Sequence, residues 1–249
     1  MKKKIWQLII KAGCYPSIYF TRNPFKILEF KEITKGIAWR GNERVLDIGC
    51  GIGNQTLLLA QKCGHITGVD INSEFITKAR WFTEQIGDKV NVDFEHRRLE
   101  EIHFPSDSFD FIFSICVLEH IPDHESILQE VKRILKPGGR LFFSVDSLSA
   151  IESKRLIDIH KKKCSVQKYY TQNELRNLLE GMGFADVDVY PIFRSQMGVD
   201  LFQQCILKGF NFSLPQVFWL SHRLIQAEAK VSNPTPGIFL IAKATKALP

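Results

Sequence analysis

Nowhere in the 249 residues does an apolar run approach the roughly 18 to 20 that a membrane-crossing helix needs, so no spanning segment is expected. The chain also lacks any C-x-x-C pair. Its six cysteines (Cys14, Cys50, Cys63, Cys116, Cys164, Cys205) are scattered, and none stands at zinc-ligand spacing from a histidine. They read as reduced thiols of a cytoplasmic protein. No metal is expected either, because His65, His96, His103, His160 and His222 share no ligand spacing. There is no linker rich in Pro, Gly and Ser, no internal repeat and no low-complexity segment, which argues for one domain over residues 1–249. The opening Met-Lys-Lys-Lys and Ile5 to Ile10 imitate a secretory leader. The stretch is only six residues long, is broken by Gln7 and runs into Lys11, so no leader is expected.

What is present is an ordinary globular composition, 45% hydrophobic and 24% charged, sufficient for a core. The charge is unevenly placed. The formal net charge is +6, but residues 1–40 hold nine Lys/Arg against Glu29 and Glu32, leaving the remainder near neutral. Ile5, Leu8, Ile9 and Ala12 fall on one side of a helix beside Lys2, Lys3, Lys4 and Lys11. Residues 1–12 are therefore expected to make weak peripheral contact with an anionic membrane, or to dock on the domain as a lid.

Asn23-Pro24 is a cap and first-turn pair ahead of Phe30, Ile33 and Ile37 at helical spacing, which predicts a helix. From Arg44 short apolar runs alternate with helical segments. Strands are expected at 44–48, 65–70, 90–95, 109–115 and 139–145, and helices at 54–62, 73–86 and 124–135. That alternation predicts an α/β fold with a parallel sheet covered on both faces. Thr171 and Glu174 form a capping box for a helix to about Met182, followed by a strand over 185–190. Two amphipathic helices, one from Val199 and one from Val217, precede a last strand at 237–243.

The strongest local signal is Val45-Leu46-Asp47-Ile48-Gly49-Cys50-Gly51-Ile52-Gly53. Glycines let the backbone turn sharply and approach a ligand closely at the carboxyl end of a strand, where open α/β sheets bind theirs. The second strand ends in Asp70, whose carboxylate can accept both hydroxyls of a ribose, so an adenosine-containing ligand is implied. A nicotinamide dinucleotide is disfavoured: its G-x-G-x-x-G fingerprint needs a glycine where Asn54 stands.

VLDIGCGIG (45–53) resembles the first motif of class I S-adenosylmethionine-dependent methyltransferases, and GVDIN (68–72) resembles their second-strand acidic motif. FPSDSFD (104–110), VLEHI (117–121) and LKPGG (135–139) resemble the family's segments before strand four, after it and into strand five. The resemblance covers about residues 40–190, and GIFLIAKA resembles the family's last strand. It implies a three-layer sandwich with a mostly parallel seven-stranded sheet whose last strand is antiparallel, and S-adenosyl-L-methionine as cofactor. Carried over, it implies that Asp47, Gly49 and Gly51, with Cys50 and Gly53 of the same turn, line the methionine end and that Asp70 holds the ribose. Ile71 would pack on adenine and Cys116 would lie close to the cofactor. Arg98 stands where the family commonly carries an acid, which passes adenine recognition to backbone near Leu99 or to Glu100.

Methyl transfer is an in-line displacement with an activated donor, so the enzyme supplies alignment, desolvation and, for a hydroxyl acceptor, a base. Among Glu119, His120 and His124, His120 has the most suitable unperturbed pKa and is the candidate base. The resemblance assigns residues 1–40 to a helical cap, 41–190 to the cofactor-binding core, 191–235 to a helical insertion serving as acceptor pocket or lid, and 236–246 to the last strand. Phe193, Phe202, Phe210, Phe212, Phe218 and Trp219 suit an apolar or aromatic small-molecule acceptor, most simply an O-methylated one. The alternatives are an RNA or other macromolecular acceptor, disfavoured because no nucleic-acid module is attached, and a non-catalytic cofactor-binding regulator.

Overall fold

Helix α1 (Pro24–Thr34) begins as its sequence dictates: the Asn23 side chain accepts a hydrogen bond from Phe25 N at 3.0 Å, and Pro24 takes a first-turn position that needs no donor. The computed structural model describes residues 21–87, 90–232 and 235–248, so the basic amphipathic segment 1–12 lies outside the described residues. The alternating pattern becomes β1 (Arg44–Ile48), α2 (Asn54–Leu59), β2 (His65–Asp70), α3 (Ser73–Ile86), β3 (Val92–His96), α4 (Leu99–Ile102), β4 (Phe109–Ile115), α5 (His124–Ile134) and β5 (Leu135–Asp146). There follow α6 (Lys154–Cys164), α7 (Gln172–Gly181), β6 (Phe184–Ile192), α8 (Gln196–Lys208), α9 (Leu214–Glu228) and β7 (Phe239–Lys246).

The seven strands form one sheet in the order β3-β2-β1-β4-β5-β7-β6. β1 to β5 pair in parallel, and β7 runs antiparallel between β5 and β6, the three-layer arrangement expected. Leu46, Ile48, Ile112, Leu141 and Phe143 feed the core under α5 and α7. Val45, Phe113, Ile115 and Phe142 feed the opposite one, under α1, α8 and α9. Burial on both faces is why these strands read as continuous apolar runs. The strand order reverses between β1 and β4, and the carboxyl ends at such a switch point are where open α/β sheets bind their ligands.

Beyond small shifts of boundary and the short helix α4, three features differ from the sequence pattern. Helix α6 stands outside the expected series, because Leu156, Ile157 and Ile159 are only partly buried beside the buried His160, an apolar face too short to stand out among the charged residues around it. β5 begins at Leu135, which pairs with Phe109 before the register shifts to Phe111 with Arg140, so the LKPGG turn is a bulged strand entry. The aromatics of 191–235 are divided in a way the sequence did not show. Phe193 and Phe202 are fully buried edge-on against Phe25 and Phe239, docking α8 on the sheet, whereas Phe218 and Trp219 are exposed.

Candidate functional site

The chain leaves β1 at Ile48 and makes three glycine turns, with φ of +71° at Gly49, +56° at Gly51 and +79° at Gly53. Only glycine adopts this left-handed backbone without strain. The turn is stitched to the neighbouring strand. Gly49 N and Cys50 N both donate to Val69 O, at 2.8 and 3.0 Å, and Gly51 N donates to Asp70 Oδ2 at 2.8 Å. Each glycine faces something different. A methyl group at Gly49 would overlap Val117 Cγ2, one at Gly53 would press on the Phe94 ring, and one at Gly51 would meet nothing within 4 Å. Gly51 is the one that faces open space.

Asp70 closes the far side of this space. Its Oδ1 accepts from Asn72 N at 2.8 Å, and Asn72 in turn caps α3 through Glu74 N and Phe75 N. A carboxylate has about four acceptor positions, so capacity for ribose hydroxyls remains. Ile71, next along, is 70% exposed at the end of a buried strand, an apolar surface with which a flat base could pack. These features fit an adenosine-containing ligand.

Other expected residues are placed less directly. Asp47 is fully buried beneath the turn, accepts from Thr56 Oγ1 at 2.6 Å and has its Oδ1 unpartnered among the described residues. Burial pushes its carboxyl up to about 7. The Leu99 side chain is buried in the core, leaving only its backbone for a ligand, and Arg98 N is held by Glu101 Oε2 at 3.1 Å. Cys50 is buried, and burial pushes its thiol far above the usual range, so it packs the turn from beneath.

Across the switch point, the ends of β4 and β5 and one face of α1 enclose a polar cluster that no sequence spacing announced. Lys26 and Glu29 of α1 pair at 2.8 Å. The Cys116 thiol donates to Glu29 Oε1 at 2.9 Å, and Ser144 Oγ donates to the same oxygen at 2.6 Å. Glu119 Oε1 accepts from Asp146 N at 3.2 Å. Glu29, Glu119 and Asp146 are all buried, and burial pushes the Glu119 and Asp146 carboxyls well above the usual range. His160 stands behind them, with Nε2 3.8 Å from Asp146 Oδ2 and Nδ1 2.9 Å from the Tyr169 hydroxyl. Its burial lowers its pKa to about 4, so it is neutral. His120, the base expected from sequence, sits at the edge of this cluster with Nδ1 3.4 Å from Ser165 O. Asp146, Glu29 and His160 are about 30, 90 and 40 residues from Cys116, which is why sequence reading missed them.

Residues 46–143 match a family model described as a methyltransferase domain. The chain is 37% identical over 131 residues to an arsenite methyltransferase of Mus musculus, covering 48% of this chain and 35% of that protein. It is 34% identical over 122 residues to a ubiquinone biosynthesis O-methyltransferase of Coxiella burnetii, covering 49% and 50%. The chain thus spans half or less of the length of these curated relatives. Among solved structures, phosphoethanolamine N-methyltransferase 2 of Haemonchus contortus in complex with S-adenosyl-L-methionine superposes with a TM-score of 0.68 at 19% identity, covering 97% of this chain and 57% of that one. At that identity the likeness is one of fold.

Proposed function

We propose that this chain, which carries a class I S-adenosylmethionine-dependent methyltransferase domain, methylates a small molecule, with oxygen as the accepting atom. The observation that carries the reading is the glycine turn of β1 closed by hydrogen bond onto Asp70, with Gly51 facing open space. When bound, S-adenosylmethionine supplies an electrophilic methyl group on a good leaving group. Asp70 then holds the ribose, Ile71 backs the adenine, Gly49, Cys50, Gly51 and Gly53 shape the methionine end, and Asp47 holds that turn from below through Thr56. Backbone near Leu99 and the Cys116 end of β4 complete the cofactor wall. His120 takes the proton that an acceptor hydroxyl loses as its oxygen attacks the methyl carbon.

The helices of 191–235 form one wall of the acceptor side, and residues 1–12 touch an anionic membrane surface. Exposed Leu214, Phe218 and Trp219 on α9, with Arg223 over the Trp219 ring, support a peripheral contact of this kind. No helix among the described residues is long and apolar enough to cross a membrane.

The test is to incubate the chain with methyl-labelled S-adenosylmethionine and fractionated cell extract. Label entering a small-molecule fraction supports the reading, and label confined to nucleic acid or protein overturns it. By calorimetry, Asp70→Ala is expected to weaken cofactor binding at least about tenfold, the loss of charge-assisted hydrogen bonds of roughly 1.5 to 3 kcal/mol. Tight binding of a nicotinamide dinucleotide with no response to S-adenosylmethionine would refute it.

A further inference from the structure

Among the described residues, the cluster between β4, β5 and α1 holds more acid than the neighbouring Lys26 balances. Cys116 follows β4, Glu119 lies in the single helical turn Leu118–His120 and Asp146 ends β5. One sulfur and one oxygen from each carboxylate all lie within 4.8 Å of one another. Glu119 is entirely buried, yet among the described residues its Oε2 has no hydrogen-bond partner. A buried, unpartnered carboxylate oxygen costs free energy unless something cationic or a proton meets it. From this geometry we propose that Cys116, Glu119 and Asp146 form a site for one divalent ion of borderline softness, of the Zn2+ class.

The donor set selects the ion. A thiolate excludes Mg2+ and Ca2+, which take oxygen, while two carboxylates disfavour Cu+. Around a tetrahedral zinc with bonds of about 2.0 to 2.3 Å, ligand atoms stand about 3.3 to 3.8 Å apart, so the three donors need to draw in by at most about 1.5 Å. Side-chain rotation covers that. Groups that would hold the ligands are already in place. His160 Nε2 is 3.8 Å from Asp146, Asp146 N donates to Glu119, and Lys26 Nζ lies 3.1 Å from the Cys116 sulfur.

In the metal-free state the thiol proton points at Glu29. Binding forms the sulfur–metal bond and breaks the S–H bond, with the proton passing to Glu29 and on to solvent. Three protein ligands leave a fourth position open. Val117, next to Cys116, packs against Gly49 of the glycine turn, so the site adjoins the cofactor turn. There a bound hydroxyl would become more acidic, a role that rests on the methyl-transfer reading, whereas the ion site does not. Residue spacing along the chain pointed instead to no metal, because the donors come from three separate elements.

The full chain, stripped with chelator and dialysed, is titrated with Co2+ and Zn2+ by calorimetry and absorption. One ion per chain is expected, with a thiolate-to-cobalt charge-transfer band. Cys116→Ser should abolish that band, and Cys63→Ser should leave it intact. Glu119→Gln and Asp146→Asn should each weaken Zn2+ binding at least about tenfold, and His160→Asn about 10- to 100-fold. Should the carboxylate variants fail to fold, Cys116→Ser and His160→Asn still decide. No binding, or a band that survives Cys116→Ser, overturns the proposal. Ion binding without methyl transfer to any acceptor leaves the site standing and counts against the proposed function alone.

Discussion

Single residues decide how the cofactor turn works, and its glycines are not equivalent. Gly51→Val should leave a folded protein that no longer binds S-adenosylmethionine, because the side chain enters open space at a strain of about 1 to 2 kcal/mol. Gly49→Ala should instead lower the melting temperature, since its methyl collides with Val117, and Val117→Ala should restore part of the loss. Equal melting temperatures for both single variants would show that Val117 does not crowd Gly49. Asp47 gives the turn a pH signature. Its carboxyl titrates near 3.8 in an unfolded chain and near 7 when folded, so the folded state holds the proton more tightly. The stability this provides is complete below about pH 4 and is lost as pH rises towards 7, by on the order of a few kcal/mol at most. Denaturant unfolding should therefore show the wild type falling relative to Asp47→Asn across that window. Parallel curves would mean that Asp47 is charged in the folded protein.

Among the elements, α8 and α9 are tied to the sheet by a few specific contacts rather than by propensity. Glu228, ending α9, accepts from Arg194 N at 2.9 Å and Ser195 N at 2.8 Å, and Ser195 is the residue that caps α8. Ser221 of α9 donates to Pro24 O at the start of α1. Glu228→Ala leaves two partly buried N–H groups unpaired, which should cost about 1 to 3 kcal/mol, with Glu228→Gln costing less. Denaturant titration measures this, and faster proteolysis between α8 and β7 should accompany it. The boundaries of β1, β2, α3 and β4 were legible because alternating apolar runs, the Asn72 cap and the glycine turn all agree locally. Helix α6 was hard to read because the Ser153 cap and the buried His160 make no periodic pattern, and its packed apolar residues, Leu156, Ile157 and Ile159, cover less than one turn.

At the scale of the whole molecule, a basic chain of pI about 9.0 presents exposed Leu214, Phe218 and Trp219 on one helix, with Arg223 stacked on Trp219. Vesicles containing anionic lipid should sediment the protein weakly at low salt and release it at high salt, because each basic residue near the surface is worth only about 1 kcal/mol. Phe218→Ser with Trp219→Ser should reduce that binding. Undiminished binding would place the contact elsewhere, with the segment 1–12 as the next region to test.

The sequence by itself determined the order of the elements, the class of sheet, the glycine turn and the carboxylate at the end of β2. The glycine turn and that carboxylate lie within 30 consecutive residues, and each element is readable from its own side-chain periodicity and backbone freedom. Tertiary structure decided which glycine faces open space and which aromatics are committed to docking. It also decided that Cys116, Glu119 and Asp146 share one buried site beside Lys26, Glu29 and His160. Those outcomes depend on the parallel crossovers that bring β4, β5 and α1 together, and no spacing along the chain encodes a meeting of groups more than a hundred residues apart.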